Sequence, residues 1–211
     1  MNTLHYVYDP LCGWCYAAEP MVELARRRLG GTIRFELHAG GLFSGGTLPE
    51  AKRQYIRGAD KRIAELTGQP FGKRYLDGLL SDPATHYDSS APAAAILAAQ
   101  ELKSDNGLLM LRAVQHAHYQ EGRRVVEPAV LTDIAESMGL KRESFGAALA
   151  AKLGEPTQHH ISATRQLMQQ VNVTGFPSFF LQRNGSRINI DHQRHYQSPE
   201  GFVAAVLQAE Q

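Results

Sequence analysis

The sequence predicts an α/β chain in which a small mixed sheet, begun as β-α-β and finished as β-β-α, carries a large all-helical insertion. Three observations predict it. Residues 3–38 pass from a strand pattern to a helical one and back within the length of a single crossover unit. Residues 48–170 show a succession of helical segments and no convincing strand. Beyond residue 172 the pattern returns to strand, hairpin and helix. The expected division is a discontinuous sheet domain, 1–46 and 172–211, around an inserted helical domain, 47–171.

Composition agrees with a folded core. Of 211 residues, 43% are hydrophobic and 20% charged, which excludes disordered, collagen-like and disulfide-scaffold classes. Lys and Arg number 22 against 21 Asp and Glu, so no global field favours nucleic acid or an anionic membrane as partner. No stretch approaches the ~18 apolar residues of a membrane span. Residues 1–8 lack the basic and apolar regions of a secretory signal, so with Met1 as the start the expected location is the cytoplasm.

Each element has a local cause. Thr3 to Tyr8 is rich in β-branched and aromatic residues and is stopped by Asp9-Pro10. From Gly13 to about Leu29 apolar residues recur at helical spacing, with Arg26, Arg27 and Arg28 complementing the C-terminal dipole and Gly30-Gly31 ending the run. Pro20 falls inside that helix and predicts a kink, because it donates no backbone hydrogen bond. Residues 32–38 alternate apolar with polar, as a strand on a core does. The glycine pairs at 40–41 and 45–46 then break the pattern. Helices are expected near 48–66, 72–80, 89–103, 106–121, 127–138, 142–152 and 156–171. Ser89 supplies a cap, Pro128 a first turn and Gly139 a stop. Residues 177–181 form the next strand, Asn184-Gly185 a hairpin turn, and 188–190 the returning strand. Ser198-Pro199-Glu200 opens the last helix.

Cys12 and Cys15 are the two cysteines of the chain, and both fall in one four-residue window at a helix start. A thiolate at Cys12 is favoured there by unpaired amide groups and the helix dipole, and Cys15 lies one turn behind it. The pattern reads as a redox pair, with Cys12 attacking and Cys15 resolving. The competing readings are a zinc half-site or two buried cysteines in chance proximity. Zinc needs about four ligands, and the histidine pairs at 116/118, 159/160 and 192/195 miss the usual spacing, so no metal is expected.

The segment Tyr8-Asp9-Pro10-Leu11-Cys12-Gly13-Trp14-Cys15-Tyr16 and the segment Val173-Thr174-Gly175-Phe176-Pro177-Ser178-Phe179 resemble the two signatures of the DsbA-like branch of the thioredoxin superfamily. Within it the chain is most similar to the cytosolic FrnE-like oxidoreductases and predicted protein-disulfide isomerases. The stretch from Gln120-Glu121-Gly122 to Met138-Gly139-Leu140 resembles late helices of that family's insertion. The resemblance implies a four- or five-stranded thioredoxin-like sheet with a helical insertion over the active site. It also implies a nucleophilic Cys12, a resolving Cys15 and a cis bond at Phe176-Pro177. Substrate would be held by Gly13, Gly175, Phe176 and Pro177, with an extended segment added along the Phe176 backbone. Trp14, between the cysteines, is expected at the rim in contact with substrate, against a core role for a lone Trp. The chemistry needs no cofactor beyond the cysteine pair. Its substrate would be a disulfide-containing protein or a small thiol, and its reductant glutathione or a thioredoxin-type partner. The chain holds no third thiol, so electrons must be exchanged with a separate partner.

Gly13-Trp14 lacks the histidine that strongly oxidising members carry between their cysteines, so in a reducing cytosol reduction or isomerisation is the expected direction. Glu36 and His38, on the face of their strand opposite Ile33, Phe35 and Leu37, are candidates to move the Cys15 proton, against an ordinary solvated role. Two other functions compete. A glutathione-dependent isomerase or transferase of the kappa-class type, acting on a small aromatic substrate, shares the inserted architecture but typically has Ser where Cys12 stands. A non-catalytic peptide-binding module would use the groove without either cysteine.

Overall fold

A computed structural model describes residues 1–210. Its elements run β1 (Thr3–Tyr8), α1 (Gly13–Ala17), α2 (Glu19–Leu29), β2 (Arg34–Ala39), β3 (Ser44–Thr47), α3 (Glu50–Thr67), a π-helical turn (Arg74–Leu79) and β4 (His86–Asp88). They continue α4 (Ser90–Leu102), α5 (Asn106–Tyr119), α6 (Pro128–Ser137), α7 (Arg142–Lys152), α8 (Glu155–Gln170), β5 (Ser178–Arg183), β6 (Ser186–Ile190), a 3-10 turn (Gln193–His195) and α9 (Pro199–Ala209).

The main sheet has the order β2-β1-β5-β6. β1 pairs with β2 in parallel, as a crossover demands, and with β5 antiparallel; β5 and β6 form the expected hairpin. Side chains alternate across β1. Leu4, Tyr6 and Tyr8 join Met21 and Val22 of α2, Phe179 and Leu181 of β5, and Phe202 and Val206 of α9 in the main core. Aromatic rings lock this face: Tyr6 stacks on Phe179 at 4.6 Å, and Phe179 meets Phe202 edge-on at 4.9 Å. On the opposite face Val7 and Phe180 pack against Met168 and Val171, at the end of α8. α8 therefore covers the sheet while also touching α4 and α7. Deleting a fully buried ring such as Phe180 costs about 3–5 kcal/mol.

The alanine-rich α4 is buried along most of its length, and its small side chains let α5 and α7 approach it. The break expected at Pro20 is present. α1 ends at Ala17, α2 begins at Glu19, and Pro20 occupies the first turn of the new helix, where its missing N–H is harmless.

Two expectations need correction. The span 48–170 is not free of strand: β4 pairs antiparallel with β3 in a small second sheet. Neither strand has an apolar alternation to read, and β3 runs through Gly45 and Gly46 at φ +99° and +113°, which distort its register. The helix expected at 72–80 is wound as a π-helix, with Leu80 N–H donating to Tyr75 O at 2.8 Å.

Candidate active site

β1 carries the chain to the surface of the sheet, and Asp9-Pro10-Leu11 turns it into α1. Cys12 is the last extended residue before the helix (φ −94°, ψ 118°), so its side chain leaves at the helix start. Tyr16 N–H donates to Cys12 O at 3.0 Å, closing the first turn. Both cysteines are free thiols, Cys12 7% exposed and Cys15 1%. Cys12 Sγ lies 3.5 Å from the carbonyl oxygen of Phe176, to which its S–H donates. Cys15 Sγ accepts the N–H of Asp9 at 3.4 Å. Burial, followed by the hydrogen bond and charge at Cys12, pushes the Cys15 thiol well above its usual range.

The loop opposite Cys12 is held by several contacts. The Phe176-Pro177 bond is cis. Ser178 Oγ donates to Gly175 O at 2.7 Å. The Phe176 ring lies under the Arg165 guanidinium, 4.9 Å from the ring centre, and against Gly40, where any added Cβ would overlap the ring. Trp14 is half-buried beside this loop, its ring 5.1 Å from that of Tyr196, whose hydroxyl donates to Trp14 O at 3.4 Å. Trp14, Gly175, Phe176, Pro177, His192 and Tyr196 line an open groove of about 800 Å³. Of the residues expected from sequence, Cys12, Gly13, Cys15, Trp14, Gly175, Phe176 and Pro177 converge on this place.

Glu36 and His38 do not. They share the sheet face of His5, away from Cys15, because β-strand side chains alternate and Cys15 lies against the Tyr6 side. There His5 Nδ1 is 2.8 Å from His38 Nε2 and 3.4 Å from Glu36 Oε2. Burial lowers both imidazoles, His38 to about 4, so both are neutral at pH 7 and one ring donates to the other. Among the described residues this trio is the one group whose donor atoms gather closely enough for a metal ion, and the two rings already satisfy each other.

Three acids near the pair were not singled out from sequence. Asp9 is fully buried; its carboxyl accepts from Leu11 N–H at 2.9 Å, Leu42 N–H at 2.6 Å and the Ser89 hydroxyl at 3.0 Å. Burial raises its proton affinity and those three donors oppose the rise. Glu19 lines, with Tyr6, Cys15 and Gln115, a cavity of about 20 Å³. Burial raises the Glu19 carboxyl, against the pull of Arg112, whose Nε is 3.0 Å away. Its position four residues after Cys15, on the same side one turn along, is the signal that would have found it. Asp60, from α3, lies against Gly13: a Cβ on Gly13 would come within 2.7 Å of Asp60 Oδ1. No sequence signal marks Asp60, since it falls amid the charged residues of an otherwise exposed helix.

A cytosolic disulfide reductase, DsbM, from Pseudomonas aeruginosa is 44% identical, with a TM-score of 0.89 over 98% of this chain and 97% of that one. The same reductase with GSH superposes with a TM-score of 0.88 at 41% identity, over 98% of each chain. A ClpXP adapter protein, SpxH, of Halalkalibacterium halodurans is 25% identical over 195 residues, 89% of this chain. The chain spans 61% of the length of that curated relative. The model of the DSBA-like thioredoxin domain matches residues 3–195, and the chain belongs to that family.

Proposed function

We propose that this thiol–disulfide oxidoreductase works chiefly as a reductase or isomerase of disulfides, through a mixed disulfide on Cys12 and with glutathione or a protein dithiol as reductant. The observation that carries the reading is the position of Cys12, its thiol facing at 3.5 Å the carbonyl of Phe176, a residue that lines the open groove, while Cys15 is the more deeply buried of the two. Its high identity to a cytosolic disulfide reductase supports the reducing direction and a cytosolic setting, and the existence of that reductase with GSH supports glutathione as a small thiol of the cycle.

The Cys12 thiolate attacks one sulfur of a substrate disulfide, forming a mixed disulfide and expelling the other sulfur as a thiolate, which takes a proton. Cys15 then loses its proton and attacks Cys12 Sγ, forming the Cys12–Cys15 disulfide and releasing the second substrate thiol. Two glutathiones, or one external dithiol, return the pair to the reduced state and leave as a disulfide. Trp14 and Tyr196 give the substrate an aromatic wall, and the Phe176 backbone offers an edge for an extended segment.

Release of the Cys15 proton requires a base, because burial holds this thiol neutral. Glu19 supplies it through the cavity they share, whose volume suits one water molecule. The buried Gln115 Nε2, which has no protein acceptor and lines the same cavity, is placed to donate to that water.

The test is turnover of insulin disulfides and of oxidised glutathione by the wild type and by Cys12→Ser. The serine variant is expected to lose more than about 99% of both activities, since the nucleophile is gone. Unchanged turnover would exclude the mechanism.

A further inference from the structure

We propose that Asp60 sets the redox poise of the Cys12–Cys15 pair: as a buried carboxylate pressed by the insertion against the residue after Cys12, it opposes negative charge on Cys12 and favours the disulfide over the dithiol. The inference rests on the oxidoreductase reading above and extends it to the direction of the reaction.

Asp60 is 3% exposed, on a helix that otherwise buries only Ile63. α3 packs on α1, and the closeness of Asp60 Oδ1 to Gly13 leaves no room for a side chain between them. Its one side-chain donor is the Tyr75 hydroxyl, 2.7 Å from Oδ2. Among the described residues no cation forms an ion pair with it. Behind the Tyr75 hydroxyl the titratable groups are Tyr119 and His118 of α5, whose rings lie 5.1 Å from that of Tyr75, and Tyr87 of β4, which packs on His118. Arg57 and Arg53, on α3 itself, act on Tyr75 and Tyr87. The Tyr119 ring meets Tyr75 edge-on at 5.1 Å and stacks on Tyr16 of α1 at 4.9 Å, so aromatic packing links the Asp60 partner to the helix that carries the cysteines. Burial, opposed by the Tyr75 hydrogen bond, pushes the Asp60 carboxyl up to about 6. The group is therefore largely charged at pH 7.5 and largely neutral at pH 5. In this poorly solvated setting a charge one residue away is weakly screened. Wherever Cys12 ionises, the reduced pair carries a negative charge that the disulfide lacks, so a neighbouring carboxylate disfavours the dithiol state and makes the pair a better reductant.

The test equilibrates the full chain with glutathione and its disulfide, protein disulfide plus two glutathiones against dithiol plus oxidised glutathione, at pH 5 and 7.5. Alkylation and mass measurement count the thiols, and Trp14, the lone tryptophan, reports the change beside the pair. Asp60→Asn keeps an acceptor for the Tyr75 hydroxyl and removes the charge. It is expected to shift the equilibrium toward the dithiol about five-fold or more at pH 7.5, and less than about two-fold at pH 5. Tyr75→Phe removes the donor that favours the charged carboxylate, and is expected to shift the equilibrium in the same direction by less. Coincidence of Asp60→Asn with the wild type at pH 7.5, or an equal shift at both pH values, would overturn the proposal. Should Asp60→Asn not fold, a Tyr75→Phe equilibrium unchanged at pH 7.5 overturns it instead. A wild-type pair that forms no disulfide in any of these buffers would instead contradict the oxidoreductase reading itself.

Discussion

Cys15 shows how a single buried residue sets the chemistry of a site. With 1% exposure and a proton it holds tightly, it cannot attack Cys12 without a base, and Glu19 is the carboxylate that shares its cavity. Glu19→Gln preserves the size of the side chain and removes the base. Release of the second substrate thiol, followed by rapid acid quench, is expected to slow by about ten- to a hundred-fold. Attack by Cys12, read as alkylation by iodoacetamide, should change little. Burial raises the Glu19 carboxyl above the ordinary range, so in the wild type the release rate falls as pH drops through that raised value. The variant should lack this limb of the profile. The cysteine pair was legible in sequence because two thiols in one turn at a helix start carry their own chemical signature. Glu36 and His38 misled because alternation tells which residues share a face but not which face meets Cys15.

At the scale of elements, Asp9 fastens three segments together. Its carboxyl joins the end of β1 to the segment after β2, through Leu42, and to the start of α4, through Ser89, so insertion and sheet meet directly beneath the cysteines. Ser89→Ala removes one donor from a fully buried acid and is expected to cost about 1–3 kcal/mol in urea unfolding. The same substitution should lower exchange activity, since Asp9 N–H also holds Cys15 Sγ. β1, the broken α1–α2 pair, the β5–β6 hairpin and the α-helices of the insertion followed from periodicity, proline positions and turn residues, which are local causes, whereas Ser89, expected to cap α4, makes no cap hydrogen bond and serves Asp9 and Phe43 instead. β3 and β4 did not, because their pairing joins segments about forty residues apart and glycine backbone, not an apolar stripe, shapes one of them. The contact of Asp9 with Ser89 is equally invisible locally, since its partners are 80 residues apart.

For the whole molecule, the sheet is covered on both faces, and α8 ties the helical insertion to it. Charge buried between these layers makes stability depend on pH. His38 is lowered to about 4 and the fully buried His118 to about 3, each by desolvation first. A lowered histidine contributes stability that is complete above its unfolded value of 6.5 and is lost as pH falls toward the folded value. These two histidines therefore lower the urea midpoint as pH falls from 6.5 toward 4, against the opposite contribution of Asp60, raised to about 6, and the wild type is expected to lose stability relative to His38→Gln across that window. The roles of Cys12 and Cys15 are separated by trapping the mixed disulfide. Cys15→Ser, incubated with a peptide disulfide or with oxidised glutathione and mapped by mass spectrometry, is expected to accumulate one mixed disulfide, on Cys12. Cys12→Ser should accumulate little, because the remaining thiol is buried. Adducts forming equally on both cysteines, or on neither, would contradict the account.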